Sequence, residues 1–572
     1  MMPNAAPFIP KPQNSPFVGF AKGTKEREKL EAEITHLRGR TSFNVPIAPL
    51  WINGPLYTAE TRECLVPHDL NRRLGVYSTA KEEHVHKAIQ TVLAARKKWL
   101  ELHWFLRLSI FQRAASLLEK KYLIKMVAAV MEDYSKTPYE AFIDVQELID
   151  FWRFNSYYAY TIYTEQPDSN TDTQNMLEYR PLEGFVFAVS PNNFVAINGN
   201  LCAAPLVMGN VVIAKPSSDV IYSFNLVLQI LLEAGLPKDV LAALYGDSKM
   251  IGDIVLDHEM LSGVHFTGGT ETFKEIRWKI AQNEYQNKYR NFVRIVGETG
   301  GKDFIVVYDD HDPLETATAI VVGGFGAQGR KCSATSRVYM TDEMWQKVRP
   351  HLERFMNMIK VGDVADFKNY MGAIINKREY DKITGYIRDA EEAVRLEKSN
   401  FESGHACETQ VKEVISIFSK GNGYTYTTLA NGYFIWPTVI VTKNPDYKTM
   451  KEEIFGPVVT VCLLPKTGLD GLSVLELCDR TSPFALTGAV HTNDIYQFSE
   501  ALEELRYSAG NIYNWKTTGA MVNAQPFSGA RMSGTNSKVG SRLNLYNWVE
   551  ARTISLTHVK PEDFAPPYLD RE

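Results

Sequence analysis

Apolar positions keep a helical period through the first third of the chain and gather into short strand-like runs afterwards. Leu30, Ile34 and Leu37 form one stripe, with Thr24 ahead of it and Gly39 behind, which predicts a helix over Lys25–Arg38. Prolines at 3, 7, 10, 12 and 16 make residues 1–20 an extended arm. Short strands are predicted near 49–56 and 62–66. From 80 to about 163 the chain reads as helical, carried by Val85, Ile89, Val92 and Leu93 and then by Leu117, Leu118 and Leu123. Residues 165–175 are polar turn material, followed by a strand over 176–180. From Phe185 the pattern changes to strand, loop and helix in alternation. Strands are read at Phe185–Val189, 211–214, 241–244, 263–266 and 293–296, and a helix at 222–234 stopped by Gly235. A second such unit starts at 304–307 and runs to about 530, and a last strand is predicted over 553–559. Strands alternating with helices imply an α/β protein with a parallel, doubly wound sheet, whose ligands bind at the carboxyl ends of the strands. Pro191, Lys215, Gly268 and Glu298 all fall at such ends.

Composition narrows the function classes. The chain of 572 residues has room for two or three domains, and its 62 basic and 67 acidic residues leave a net charge of -5. That balance, with no basic block interleaved with aromatics, argues against a nucleic-acid partner. No apolar run approaches the roughly 20 residues of a membrane span. The six cysteines (64, 202, 332, 407, 462, 478) lie far apart without metal-ligand spacing, which predicts free thiols and no metal site. His84 and His86 point to different faces of a helix and have no third ligand nearby, so a solvated surface is expected there. The first residues carry no arginine-rich amphipathic helix and no secretory signal, so neither kind of targeting segment is read in them.

The candidate chemistry centres on Phe325-Gly326-Ala327-Gln328-Gly329-Arg330-Lys331-Cys332-Ser333-Ala334. A cysteine beside two cations suits a nucleophile, because only the thiolate is reactive and Arg330 and Lys331 would favour it. The other reading of Cys332 is a small buried hydrophobe. Gly324, Gly326 and Gly329 have the spacing of a dinucleotide-binding fingerprint, but they run into Cys332 and a strand-like 336–340 rather than opening a helix. They are read as room for the nucleophile. Two further segments bear on it, Ser190-Pro191-Asn192-Asn193-Phe194 and Gly297-Glu298-Thr299-Gly300-Gly301-Lys302.

An asparagine after a strand, then Glu-x-Gly-Gly-Lys, then Gly-x-x-Cys, in this order, resembles the aldehyde dehydrogenase superfamily. Glu452-Glu453-Ile454-Phe455-Gly456-Pro457 and Pro526-Phe527-x-Gly529 extend the likeness over about 45–560. Glu147-Leu148-Ile149-Asp150-Phe151, Lys331-Cys332-Ser333-Ala334 and Ser533-Gly534-Thr535-Asn536 resemble one branch, the 1-pyrroline-5-carboxylate dehydrogenases. The resemblance implies a Rossmann-like NAD-binding domain (1–165 and 186–300, with arm and helix at 1–40) and a catalytic domain (301–530). It also implies an oligomerisation flap and tail (166–185, expected to be a hairpin, and 531–572), and so a homodimer or higher homo-oligomer.

The branch oxidises glutamate γ-semialdehyde with NAD, the second step of proline catabolism. The resemblance implies Cys332 as nucleophile, Glu298 as general base for thioester hydrolysis, and Asn193 as oxyanion donor. Asn192 is the rival of Asn193, which the family spacing selects, and Glu298 could instead be a structural cap. Ser190, Pro191, Lys215, Ser217, Gly268, Gly269, Glu453 and Phe455 would hold the cofactor. Gly269 and Phe273 depart from the family turn, and Ser218 stands where many NAD-using relatives carry a glutamate, so NAD over NADP rests on the branch likeness alone. Lys331, Ser333, Gly519 and Ala520 would take the substrate α-carboxylate and Glu147 its ammonium. Phe194 and Phe527 would box the aliphatic stem, unless they are ordinary core. The likeness further implies the mitochondrial matrix, with the cytoplasm as the alternative. The rival functions are oxidation of another aliphatic aldehyde, or a non-catalytic protein on this fold.

Overall fold

The strand–helix alternation that begins at Phe185 builds a seven-stranded sheet. Its order is Arg294–Glu298, Leu261–Thr267, Phe185–Val189, Val211–Lys215, Leu241–Ala243, Leu50–Trp51 and Pro55–Leu56. The first five strands run parallel, and the last two close the edge antiparallel. Val211–Lys215 is buried along its whole length, as expected of a strand covered by helices on both faces. The computed structural model describes residues 7–40, 46–402, 414–419, 431–560, 564–566 and 568–569. Cys407 and parts of the predicted arm and tail lie outside these residues.

A second seven-stranded sheet has the order Ser416–Ser419, Thr438–Thr442, Val458–Leu463, Thr335–Met340, Asp303–Val307, Thr487–His491 and Asn511–Asn514. Only Ser416–Ser419 pairs antiparallel there. The short stretch from Thr299 to Lys302 joins the two sheets, so residues at its ends face both.

The helix Lys25–Arg38 forms as predicted, with the Thr24 hydroxyl accepting from the Arg27 N–H and Leu30, Ile34 and Leu37 buried. His84 closes the start of Glu82–Glu101 by accepting the Lys81 N–H. Among the described residues no cluster could hold a metal ion, and no helix is long and apolar enough to cross a membrane. The helix Val195–Val207 is mostly apolar and buried, its two asparagines Asn198 and Asn200 being hydrogen-bonded, hence a core helix. It packs on the long helix Pro138–Thr164 at Gly199, where a Cβ would come 2.4 Å from the Leu148 methyl.

Two expectations need correction, and one strand was not foreseen. The segment 166–185 supplies one strand, Thr173–Pro181, not a hairpin. Its partner is Val549–Thr557, four residues earlier at its start than the predicted 553–559, because pairing with the first strand rather than side-chain alternation sets its bounds. The strand Asp69–Ser78 was not predicted, since its first half is polar and its ladder with Thr61–Val66 is broken by register shifts. Next to the two-stranded ribbon, Trp548 is fully buried in the first sheet's core, with its ring centroid 4.7 Å from that of His265 and its carbonyl accepting from the Asn210 amide at 2.8 Å.

Candidate active site

The carboxyl edge of the first sheet brings Ser190, Pro191, Lys215, Ser217, Gly268 and Gly269 to one side. Ser190 donates to the Asn198 side chain and so fixes the turn that carries Asn192 and Asn193. The Lys215 ammonium is pushed down to about 8 by burial, and its one hydrogen-bond partner is the carbonyl of Pro216 at 3.0 Å. Ser217 caps the short turn at 218–220. Gly269 caps the 16-residue helix Thr270–Tyr285, and a Cβ there would meet nothing within 4 Å. The Thr270 hydroxyl beside it is buried without a hydrogen-bond partner. A buried cation, a free hydroxyl and an open helix N-terminus fit the phosphates and ribose of a dinucleotide. Phe273, the departure noted in the sequence, stacks on Phe266 at 5.3 Å and fills the space above Gly297.

Cys332 lies just ahead of the strand Thr335–Met340 and is partly exposed. The preceding helix Pro313–Phe325 ends at Gly326, and Ala327 and Gln328 adopt left-handed φ of 49° and 57°. That strain is held by Gln328 donating to the Ser135 carbonyl. The Asn193 amide donates to the Arg330 carbonyl at 3.2 Å, which brings it to the loop that carries Cys332. Asn192 instead binds Asp219 at 2.8 Å and receives Arg330 at 3.0 Å.

The expectation that Arg330 and Lys331 stabilise the thiolate is not met. The Arg330 guanidinium lies over the Phe455 ring at 4.8 Å and donates to Asn192 and to the Phe455 carbonyl. Lys331 pairs with Glu140 at 2.8 Å. Burial pushes the Cys332 thiol well above its ordinary range, and Asp303, Glu453 and Glu298 add to the rise. A hydrogen bond from the Ser333 backbone N–H works against the rise. Alkylation of Cys332 by iodoacetamide is therefore expected to be slow at pH 7 and to climb about tenfold per pH unit past pH 9. A plateau below pH 8 would show a stabilised thiolate and refute this.

Glu298 ends the strand Arg294–Glu298. Its carboxyl receives the Ser528 hydroxyl on one oxygen and the Gly529 N–H, at 3.0 Å, on the other. Burial pushes it up to about 8 despite these donors. Glu453 accepts the Gly301 N–H at 3.0 Å, and Phe455 holds a left-handed φ of 60° under Arg330.

Glu140, Asp144 and Glu147 share one face of Pro138–Thr164, by their spacing of four and three. Asp144 receives the N–H groups of Val195 and Ala196 and the Lys136 ammonium at 2.8 Å, so it anchors the start of the helix after Phe194. The Lys136 ammonium sits 3.5 Å from the Phe194 ring centroid. Glu140 is spent on Lys331. Glu147 makes no hydrogen bond, and burial with Asp144 beside it pushes its carboxyl up to about 8, while Lys331 and Lys136 pull it down. Gly519 has φ of 141° and accepts from the Tyr513 hydroxyl, with Ala520 beside it. Phe527 is bridged to Val539 and stays partly exposed.

Sequence reasoning missed Glu140, Asp144, Lys136 and Ser528. The helical spacing of the three acids was available as a signal. Nothing local marks Lys136 or Ser528.

The aldehyde dehydrogenase family model matches residues 57–399 and 393–554. The chain is 40% identical to the delta-1-pyrroline-5-carboxylate dehydrogenase of Agaricus bisporus, over 98% of this chain and 97% of that one. It is 37% identical to the mitochondrial enzyme of that name from Dictyostelium discoideum, over 98% and 96%. The crystal structure of the Mycobacterium tuberculosis delta-pyrroline-5-carboxylate dehydrogenase bound with NAD has a TM-score of 0.88 and 36% identity, covering 99% of each chain.

Proposed function

This chain belongs to the aldehyde dehydrogenase family, and on that premise we propose that it oxidises L-glutamate γ-semialdehyde to L-glutamate with NAD, as the second step of proline catabolism. The observation that carries the substrate choice is Glu147. It is a carboxyl without a hydrogen bond, within the electrostatic reach of Lys331 next to the nucleophile. A substrate ammonium supplies the missing partner.

In this reading Cys332 gives its proton to water, and the thiolate sulfur so formed adds to the aldehyde carbon. The resulting oxyanion is met by the Cys332 N–H and by the second N–H of the Asn193 amide, the first being held by Arg330. NAD, when bound, would supply the hydride acceptor through which this adduct is oxidised to a thioester on Cys332. Glu298 then takes a proton from water, which attacks the thioester, releasing the carboxylate and restoring the thiol. Lys215, Ser217, Gly268, Gly269, Ser190 and Pro191 hold the adenosine and pyrophosphate side of NAD. Glu453 and Phe455 hold its nicotinamide side.

Gly519, Ala520 and Ser333 receive the α-carboxylate, Phe194 and Phe527 flank the stem, and Lys331 balances the charge from its pair with Glu140. The ribbon of Thr173–Pro181 and Val549–Thr557, with Leu556 49% exposed, is the surface for a second copy of the chain. Because several of the relatives are named mitochondrial, the mitochondrial matrix is the proposed compartment.

The test is reduction of NAD by 1-pyrroline-5-carboxylate, beside NADP and beside hexanal. Equal turnover of hexanal would replace the charged substrate with an uncharged aldehyde. In the same assay Glu147→Ala is expected to cost ~1–3 kcal/mol in kcat/KM for the semialdehyde and far less for hexanal. Equal losses on both would make Glu147 structural.

A further inference from the structure

We propose that Ser528 is a positioning residue that holds the Glu298 carboxyl in place and controls when it carries a proton. The proposal rests on the reading of Glu298 as the base. Ser528 is fully buried, and its hydroxyl donates to Glu298 Oε1 while the next N–H, that of Gly529, donates to Oε2. Both carboxyl oxygens are thus held by one two-residue stretch.

That stretch has no room to shift. A Cβ on Gly510 would come 1.8 Å from the Ser528 carbonyl, and the Gly529 carbonyl accepts the Asn536 N–H at 3.0 Å. The backbone of Glu298 is fixed from the same side, because Thr535 N–H donates to the Gly297 carbonyl at 2.9 Å and Thr299 N–H to the Ser533 carbonyl at 3.0 Å.

The two donors differ in what they permit. The Gly529 N–H can only donate, so it favours the carboxylate alone. The Ser528 hydroxyl can donate to the carboxylate and, after rotating, accept from the carboxylic acid. It lets Glu298 cycle between the two forms without leaving either unsatisfied. The other ionisable groups acting here are Lys538, held on the Gly510 carbonyl, which draws Glu298 down, and Cys332, with Asp303 and Glu453 around it. Burial raises Glu298, and the Ser528 hydroxyl is the strongest influence against that rise.

The test uses p-nitrophenyl acetate with the full chain and no cofactor. The burst reads acylation of Cys332 and the steady state reads hydrolysis of the acyl-enzyme. Ser528→Ala, and Ser528→Gly as a second variant in case alanine perturbs folding, are expected to keep the burst amplitude. They should move the acidic limb of the steady-state pH profile upward by about one to two units, the shift for losing a hydrogen bond to a charged group. The limb should disappear in Glu298→Gln. An unmoved limb, or a uniform loss across pH, in the serine variants would overturn the proposal. A limb that survives Glu298→Gln would instead overturn the assignment of Glu298 as base, whatever the serine variants do.

Discussion

Cys332→Ala is expected to abolish aldehyde oxidation while the protein still binds NAD. Among the described residues no other side chain is placed to replace the sulfur, since Asn193 and Lys331 are held by the Arg330 carbonyl and by Glu140. The remaining four described cysteines, Cys64, Cys202, Cys462 and Cys478, are buried. Losing the covalent step removes the whole route through the thioester, so the loss should exceed about a hundredfold. The proposed cofactor contacts at Lys215, Gly268 and Glu453 do not involve the thiol, and binding measured by calorimetry or fluorescence should change little. The substitution removes one atom from a partly exposed side chain, so the fold should persist. Residual turnover above about one per cent of the parent would take Cys332 out of the nucleophile role.

The second large effect is expected from Glu298→Gln. The amide fits the same cradle: one end accepts from Gly529, and the other donates to the Ser528 hydroxyl. It cannot take a proton from water. Hydride transfer should proceed once per site and then stall, giving a burst of NADH and a steady state lower by about 10²–10⁴. The pH dependence follows from the sign of the shift. Burial raises the parent carboxyl to about 8, so the active carboxylate gains population as pH rises through 8, and the parent's hydrolysis step should rise there. In the variant this rise should be gone. If burst and steady state fell together, Glu298 would be acting before the thioester forms.

What could be read in the sequence, and what could not, divides along a physical line. Helix Lys25–Arg38 was legible because its cap, stripe and stop are local. The strands of the first sheet were legible because burial on both faces writes them as continuous apolar runs. Strand Val549–Thr557 was misplaced because its partner lies at Thr173–Pro181, and pairing over that separation leaves no local mark. The same holds at the site. Cys332 and Glu298 stand in distinctive contiguous segments. Which charge meets which depends on contacts such as Lys331 to Glu140, 191 residues apart, and Arg330 to Asn192, 138 apart. That is why two cations beside a cysteine suggested an activated thiolate, while the folded chain directs both elsewhere.

The position of Trp548 has a consequence for biosynthesis. A ribosome that has delivered every strand of the first sheet still has some 250 residues to add before this indole emerges. Until then His265, Gly263 and the Asn210 amide line a socket with nothing in it. The nascent amino-terminal half therefore waits, unfinished, through synthesis of the entire second sheet. A messenger cut short by a stop codon just before Trp548 would encode every side chain assigned to catalysis above, yet its product would lack the plug of its first core. Quality control in the cell would meet a chain whose chemistry is complete and whose folding is not.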